Sequence, residues 1–72
     1  MSDDGTDSIT LAGGQRLAWD ACDKDFAILV TKPRRRVELQ VDWDDVDHDA
    51  VKRDLAAMLN DLTAAGWKVR IR

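Results

Sequence analysis

One stretch of the chain alternates strictly between polar and apolar residues, Arg36-Val37-Glu38-Leu39-Gln40-Val41-Asp42-Trp43. Successive side chains of a strand point to opposite faces, so this pattern is typical of a strand with one buried side. The predicted core face carries Val37, Leu39, Val41 and Trp43. The other face carries Glu38, Gln40 and Asp42. This strand is the clearest element of the sequence and sets the frame for the segments around it.

An amphipathic helix is predicted to follow this strand. Apolar residues recur there at spacings of four and three, with Leu59 widening the stripe. The predicted stripe is Val51, Leu55, Met58, Leu62 and Ala65. Asp47 or Asp49 is expected to cap the start of the helix, and Gly66 suits the left-handed residue just beyond its end. The helix is therefore expected to lie on a sheet.

Four more strands are expected. Residues 9–12 and 15–19 flank Gly13-Gly14, a pair that suits a two-residue hairpin turn. Residues 26–31 are apolar and rich in β-branched side chains, which is typical of a central strand. Residues 67–71 alternate again after the helix. Because short connections join a strand, a helix and a strand, the last strand is expected to run parallel to the third.

These elements predict an α+β fold with a β-hairpin-β-β-α-β order. The expected architecture is a mostly antiparallel sheet of three to five strands with one helix packed on one face. Residues 9–72 are expected to form a single domain. Residues 1–8 have no apolar anchor and are predicted to form a flexible acidic tail.

The size and the side chains of the chain disfavour an enzyme. A chain of 72 residues buries only about 60% of the surface of its unfolded form, which leaves little core to give up for a catalytic cleft. The chain has no Tyr and a single His, His48, with no nucleophile placed beside it by the sequence. We therefore expect no catalytic residues, no cofactor and no small-molecule substrate.

The location of the protein is predicted to be cytoplasmic. No apolar run reaches the length of a membrane span, and the acidic start lacks the basic and apolar regions of a signal peptide. No membrane partner is expected. Cys22 is the one cysteine, so it has no disulfide partner within the chain and is expected to be an inert or partly buried thiol.

The net charge of −3 conceals opposite blocks: residues 32–41 carry +3, and residues 42–50 carry −5. An acidic run of this kind binds a cation, mimics an anion or caps a helix. Asp45, Asp47 and Asp49 match three positions of a calcium loop, but Ala50 and Ala56 replace its glycine and its closing glutamate. We expect no metal site. The preferred interpretation is a helix start whose excess carboxylates are available to a basic partner. This acidic patch consists of Asp44, Asp45, Asp47 and Asp49.

A basic patch is predicted at a hairpin tip and along the last strand. It consists of Lys32, Arg34, Arg35, Arg36, Lys68, Arg70 and Arg72. Such a surface could bind a partner or nucleic-acid phosphates. If the two strands are neighbours, however, Glu38 and Asp42 share their open face and pair with the C-terminal cations. Trp43 and Trp67 both fall on the core phase, so no exposed aromatic residues are expected to stack on bases.

Trp19 has two interpretations. It follows Leu17 by two residues and so shares its face, which predicts a place in the core. It also ends a short strand near the surface, where a tryptophan could anchor a partner. The core is the preferred interpretation.

Residues 59–67 read Leu-Asn-Asp-Leu-Thr-Ala-Ala-Gly-Trp. This segment resembles the helix end of a family of small bacterial domains of unknown function with a Leu-Asn-x-Leu-Gly-x-x-Gly-Trp signature. Thr63 stands where that family has glycine. The resemblance implies no function.

The sequence thus favours a non-enzymatic protein-interaction module, such as an adaptor, an inhibitor or a self-associating domain. A one-helix sheet exposes edges and a whole face, and added strands give so small a domain more core, so a homodimer is expected. Short acidic domains of this type also resemble products of phage or other mobile elements. The alternative is a nucleic-acid-binding domain that uses the hairpin tip at residues 32–36 and the strand face of Lys68, Arg70 and Arg72.

Overall fold

The computed structural model describes residues 5–72. It contains five strands and one helix in the predicted order. The elements are β1 (Thr6–Thr10), β2 (Arg16–Asp20), β3 (Asp25–Lys32), β4 (Arg35–Asp42), α1 (His48–Ala64) and β5 (Lys68–Ile71). The α+β prediction is confirmed.

The strands form two antiparallel sheets rather than one. β1 pairs with β2, and the second sheet has the order β4-β3-β5. The central position predicted for β3 is confirmed. The direction expected for the last strand is wrong, because β5 runs antiparallel to β3, with Val30 opposite Val69. The crossover from β4 through α1 skips one strand, so β5 runs parallel to β4 on the far side of β3.

The first hairpin differs from its prediction in both extent and turn. β1 already begins at Thr6, within the predicted tail, while residues 1–4 of that tail lie outside the described residues. Asp7 lies opposite Trp19 in the hairpin and forms an ion pair with Lys52 of the helix at 2.5 Å. This ion pair holds the start of β1 in place without apolar side chains. The predicted two-residue turn is a longer loop in which only Gly14 has positive φ (93°).

The longer loop keeps the apolar residues of the first hairpin on one face. The Gly14 N–H donates to the Leu11 carbonyl at 2.9 Å, and the Leu11 N–H donates to the Gln15 carbonyl at 2.8 Å. As a result Ile9 lies opposite Leu17. A two-residue turn would shift this register by one residue and place apolar side chains opposite polar ones.

The second hairpin turns through Pro33 and Arg34, since Lys32 lies opposite Arg35. Arg34 has φ 68°. Proline followed by a residue with positive φ is the arrangement of a type II turn. Glycine usually occupies the second of these positions, so the turn carries local strain at Arg34.

Both predicted caps of the helix are found. The Asp47 side chain accepts a hydrogen bond from the Ala50 N–H at 3.3 Å, which identifies it as the N-cap of the two candidates. At the other end Gly66 has φ 97°. Its N–H donates to the Thr63 carbonyl at 3.1 Å, and the Trp67 N–H donates to the Leu62 carbonyl at 3.0 Å. These two bonds form a Schellman motif.

The buried stripe of the helix is rotated from the one predicted. Leu55 and Leu59 are buried, and Leu59 is 0% exposed, so Leu59 lies at the centre of the buried face. Met58 and Ala65, both expected to face the core, are exposed. The reason is the first hairpin, whose strand β1 contacts the helix and covers its other flank.

Three polar contacts hold this arrangement together. Besides the Asp7–Lys52 pair, the Ala12 N–H donates to Asn60 Oδ1 at 2.8 Å. Gln15 Nε2 donates to the Val69 carbonyl at 2.7 Å, which ties the hairpin loop to β5. The β1–β2 hairpin therefore lies against the helix and the β5 side of the second sheet. The β4 side stays uncovered.

Candidate functional site

A shallow groove of about 410 Å³ runs between β4 and α1. Its lining is mainly apolar and includes Val41 and Val46 on one side, with Val51, Leu55 and Met58 on the helix side. An adjoining apolar cavity of about 220 Å³ continues towards the hairpin turn. That cavity is lined by Val30, Val37, Leu39, Met58, Leu62 and Trp67. We call these two spaces together the β4–α1 groove.

The β4–α1 groove contains the large apolar side chains that the described fold leaves most exposed. Val37 is 46% exposed and Met58 is 43% exposed. Val37 lies on the same face of β4 as Leu39 and Val41, as the alternation predicts. It is nevertheless exposed, because the helix is rotated away and does not cover it. Leu39 is half-buried for the same reason, while Val41 and Trp43 are buried as predicted.

The groove lies beside an unpaired strand edge. β4 pairs with β3 on one side only, so its other side offers backbone N–H and C=O groups to solvent. The remaining edge of this sheet, β5, contacts β2 and gives its Val69 carbonyl to Gln15. Of the two edges, β4 is thus the one that has both free backbone groups and an apolar groove next to it.

The acidic patch lies at one end of this groove. Asp44, Asp45, Asp47 and Asp49 are all exposed, in the β4–α1 connection and the first turn of the helix. Asp47 is occupied as the N-cap, and Asp45 has φ 59°. None of the ion pairs among residues 5–72 involves a carboxylate of this patch. The patch therefore keeps free carboxylates beside the helix start.

His48 is exposed at the start of the helix and packs against the buried Trp43. Its ring stacks on Trp43, with centroids 4.1 Å apart and an interplanar angle of 7°. Nε2 lies 2.9 Å from the Trp43 carbonyl, so the proton on Nε2 is donated to that oxygen. This contact fixes the chain where β4 gives way to the helix.

The structure brings part of the basic patch together on the open face of the second sheet. Arg36 and Lys68 lie on either side of Thr31, and Arg70 lies opposite Leu29 in the next row. Arg72 forms an ion pair with Glu38 across β3. The expectation that Glu38 pairs with a C-terminal cation is confirmed, although the strands are not neighbours. Within the described residues Asp42 has no ion-pair partner.

The other members of the basic patch are separated from this face. Lys32 is half-buried and places Nζ 5.1 Å from the centre of the Trp67 ring, an arrangement that favours a cation–π contact. Its side chain therefore belongs to the helix side of the sheet. Arg34 and Arg35 are exposed at the turn and the start of β4.

Trp19 is in the core, as the preferred interpretation has it. It is 5% exposed and stacks on Phe26 with centroids 4.4 Å apart. The Trp43 ring packs edge-on against the Trp19 ring, with centroids 5.2 Å apart. A side chain enclosed in this way does not offer a partner an anchor, so the second interpretation of Trp19 is corrected.

Three smaller observations complete the description of the surface. Cys22 is exposed in the β2–β3 turn, rather than partly buried. Among residues 5–72, no cluster of three or more His, Cys, Asp or Glu side chains could hold a metal ion. In the same part of the chain, no helix has both the length and the apolar character needed to cross a membrane.

The sequence interpretation missed the β4–α1 groove, because Val37 and Met58 both fit core patterns. The charges at the ends of β4 become informative only once the strand register is known. The β3–β4 pairing places like charges opposite each other at both ends, Lys32 with Arg35 and Asp25 with Asp42. Like charges directly opposite each other destabilise a strand pair.

Comparison with known protein families, with curated proteins and with solved structures finds no match for this chain.

Proposed function

We propose that this protein is a non-enzymatic interaction module that binds another protein, or a second copy of itself, through the β4–α1 groove. The observation that carries the proposal is the coincidence of an unpaired strand edge with exposed apolar side chains, Val37 and Met58. A partner strand added to an edge gains backbone hydrogen bonds, and an adjacent apolar groove receives its side chains. Adaptor, inhibitor and self-associating roles all fit this mode of binding. A cytoplasmic location is part of the proposal.

The physical driving force is the apolar surface that binding would cover. Removal of apolar surface from water contributes about 25 cal/mol per Å², from which the entropic cost of association is subtracted. The first hairpin already covers the opposite flank of the helix, so the groove is the side on which so small a domain can still gain core. The acidic patch at the end of the groove adds a charged border that favours a basic segment of the partner.

The experiment compares Met58→Glu with Ala57→Glu. Both residues are exposed on the same helix, but only Met58 lines the groove. Sedimentation velocity measures self-association, and affinity capture from cells that express the chain measures binding of other proteins. We expect the wild type and Ala57→Glu to form the same complex and Met58→Glu to lose it. A wild type that stays monomeric and captures no more than Met58→Glu would overturn the proposal.

Nucleic-acid binding is the second candidate function, and one observation favours it. Arg36, Lys68 and Arg70 lie close together on the open sheet face. The nearby Arg72 is neutralised by Glu38, and the protein as a whole is anionic, which weakens the attraction to phosphates. If the wild type binds DNA or RNA at low salt, Arg36→Glu with Arg70→Glu should abolish the binding. If the wild type does not bind, this second function is excluded.

A further inference from the structure

The charges along β4 are ordered from positive to negative. Arg36 lies near its start and Asp42 at its end, on the same face of the strand, with Glu38 and Gln40 between them. Neither terminal charge is balanced within the sheet. Arg36 lies opposite the neutral Thr31, and Asp42 lies opposite Asp25. A strand laid along the free edge of β4 would therefore be favoured if its negative end lay beside Arg36 and its positive end beside Asp42.

A second copy of β4 running antiparallel has this charge order. We propose that two copies of the chain associate through β4, about a two-fold axis at Leu39, into one continuous six-stranded sheet. In this register Arg36 of each copy lies opposite Asp42 of the other. Val37 lies opposite Val41, and Glu38 lies opposite Gln40. The inference rests on the proposed function and specifies its partner.

The charge pattern selects this register over its neighbours. A shift of the axis by one residue to either side places carboxylates together: Glu38 would meet its own copy, or it would meet Asp42. A shift by half a residue pairs positions of opposite phase, which would place apolar side chains on the charged face. The register about Leu39 is the one that matches both the apolar and the charged positions.

The same register brings together the charge blocks that flank the strand. Arg34 of one copy approaches Asp44 of the other, beyond the paired residues 36–42. The Asp25–Asp42 opposition within each β3–β4 hairpin then gains a counter-charge, Arg36 of the other copy. The apolar face also gains contacts, because Val37, 46% exposed in the single chain, lies beside Val41 of the other copy and between the two helices.

Charge exchange tests the register. Arg36→Asp and Asp42→Arg each create two repulsive pairs in a homodimer, and we expect each to lower the association constant roughly tenfold or more. The double variant Arg36→Asp with Asp42→Arg restores both attractive pairs and should associate like the wild type. A mixture of the two single variants should form heterodimers in preference to either homodimer. Native mass spectrometry resolves these species by mass, and sedimentation equilibrium gives the constants.

Arg53→Asp and Asp61→Arg are the matched controls. Both residues are exposed on α1 and line neither part of the β4–α1 groove, and each control makes the same change of net charge as one test variant. We expect both controls to associate like the wild type. Circular dichroism verifies that every variant is folded.

Three results would overturn the inference. They are a wild type that stays monomeric at high concentration, single variants that dimerise like the wild type, and a mixture without preferred heterodimers. The Met58→Glu variant then tells whether the proposed function fails together with this inference. A dimer that is insensitive to the charge exchange but lost in Met58→Glu uses the groove in another register. A monomeric wild type that captures a protein lost in Met58→Glu has a different partner.

Discussion

Replacement of Leu59 by alanine should destabilise the domain far more than replacement of Met58. Leu59 is 0% exposed and packs in the core cluster, whereas Met58 is 43% exposed on the groove side. A buried Leu→Ala change removes the transfer free energy of the side chain and leaves a cavity, about 3 kcal/mol in total. For Met58, whose side chain is already half in solvent, we expect at most about 1 kcal/mol.

These magnitudes matter in a domain of this size. A stability of about 0.05–0.15 kcal/mol per residue gives 72 residues roughly 4–11 kcal/mol. The loss of about 3 kcal/mol in Leu59→Ala is therefore roughly a quarter to three quarters of the total stability. In thermal unfolding the same loss lowers Tm by roughly 12–24 °C. The sequence pattern alone predicts a different order, because it centres the helix stripe on the line through Leu55, Met58 and Leu62.

The assay is urea unfolding followed by far-ultraviolet circular dichroism and tryptophan fluorescence. Dilute protein is used, so that self-association through the groove does not add to the apparent stability of the wild type. The free energy of unfolding is extrapolated to water for each variant. Equal losses for the two variants, or a larger loss for Met58→Ala, would refute the rotation of the helix and with it the open groove.

Substitutions at Asp47, Gly66 and Arg34, with control variants at Asp47 and Arg35, test the local structure that positions the groove. Asp47→Ala should cost about 1 kcal/mol of unfolding free energy through loss of the N-cap, and Asp47→Asn should cost almost nothing, because asparagine caps equally well; chemical denaturation measures both. Gly66→Ala should cost about 1–2 kcal/mol, because φ is 97° there, and a fall in Tm would show it. Arg34→Gly should be neutral or stabilise the domain by up to about 1 kcal/mol, because Arg34 has φ 68°. Arg35→Gly, in the strand, should destabilise it by about 0.5–1 kcal/mol. A stabilised Arg35→Gly would contradict this account of the turn.

The elements that are set by local chemistry could be predicted from the sequence. The alternation of β4 depends on residues adjacent in the chain. The cap at Asp47 and the left-handed residue Gly66 follow from hydrogen bonds and backbone sterics within one helical turn. These predictions did not require any knowledge of how the elements pack on one another.

The positions of the elements relative to one another could not be predicted in this way. The helix rotates because the Asn60 side chain accepts a hydrogen bond from Ala12, 48 residues away, and because Lys52 reaches Asp7. No helical periodicity records such contacts. The exposure of Val37 and the groove beside β4 follow from that rotation, so the candidate site was hidden by the same long-range packing.

The strand pairing also changes the interpretation of the charge blocks. The sequence shows a basic and an acidic run separated by a strand, and the structure places that strand at a free edge. Lys32 leaves the basic patch to contact Trp67, while Arg36 and Asp42 remain as unbalanced ends of β4. The strand register is needed to tell which charges pair within the chain and which are left for a partner.

The central claim, that the chain associates through β4 and its groove, is tested most directly by a concentration series of methyl and amide NMR spectra. We predict that the methyl signals of Val37, Leu39 and Met58 shift together as the protein is concentrated. The β4 amides that point away from β3 should become protected from hydrogen exchange over the same range. If these signals stay constant while residues of the open face such as Lys68 and Arg70 shift, association uses another surface and the claim is wrong.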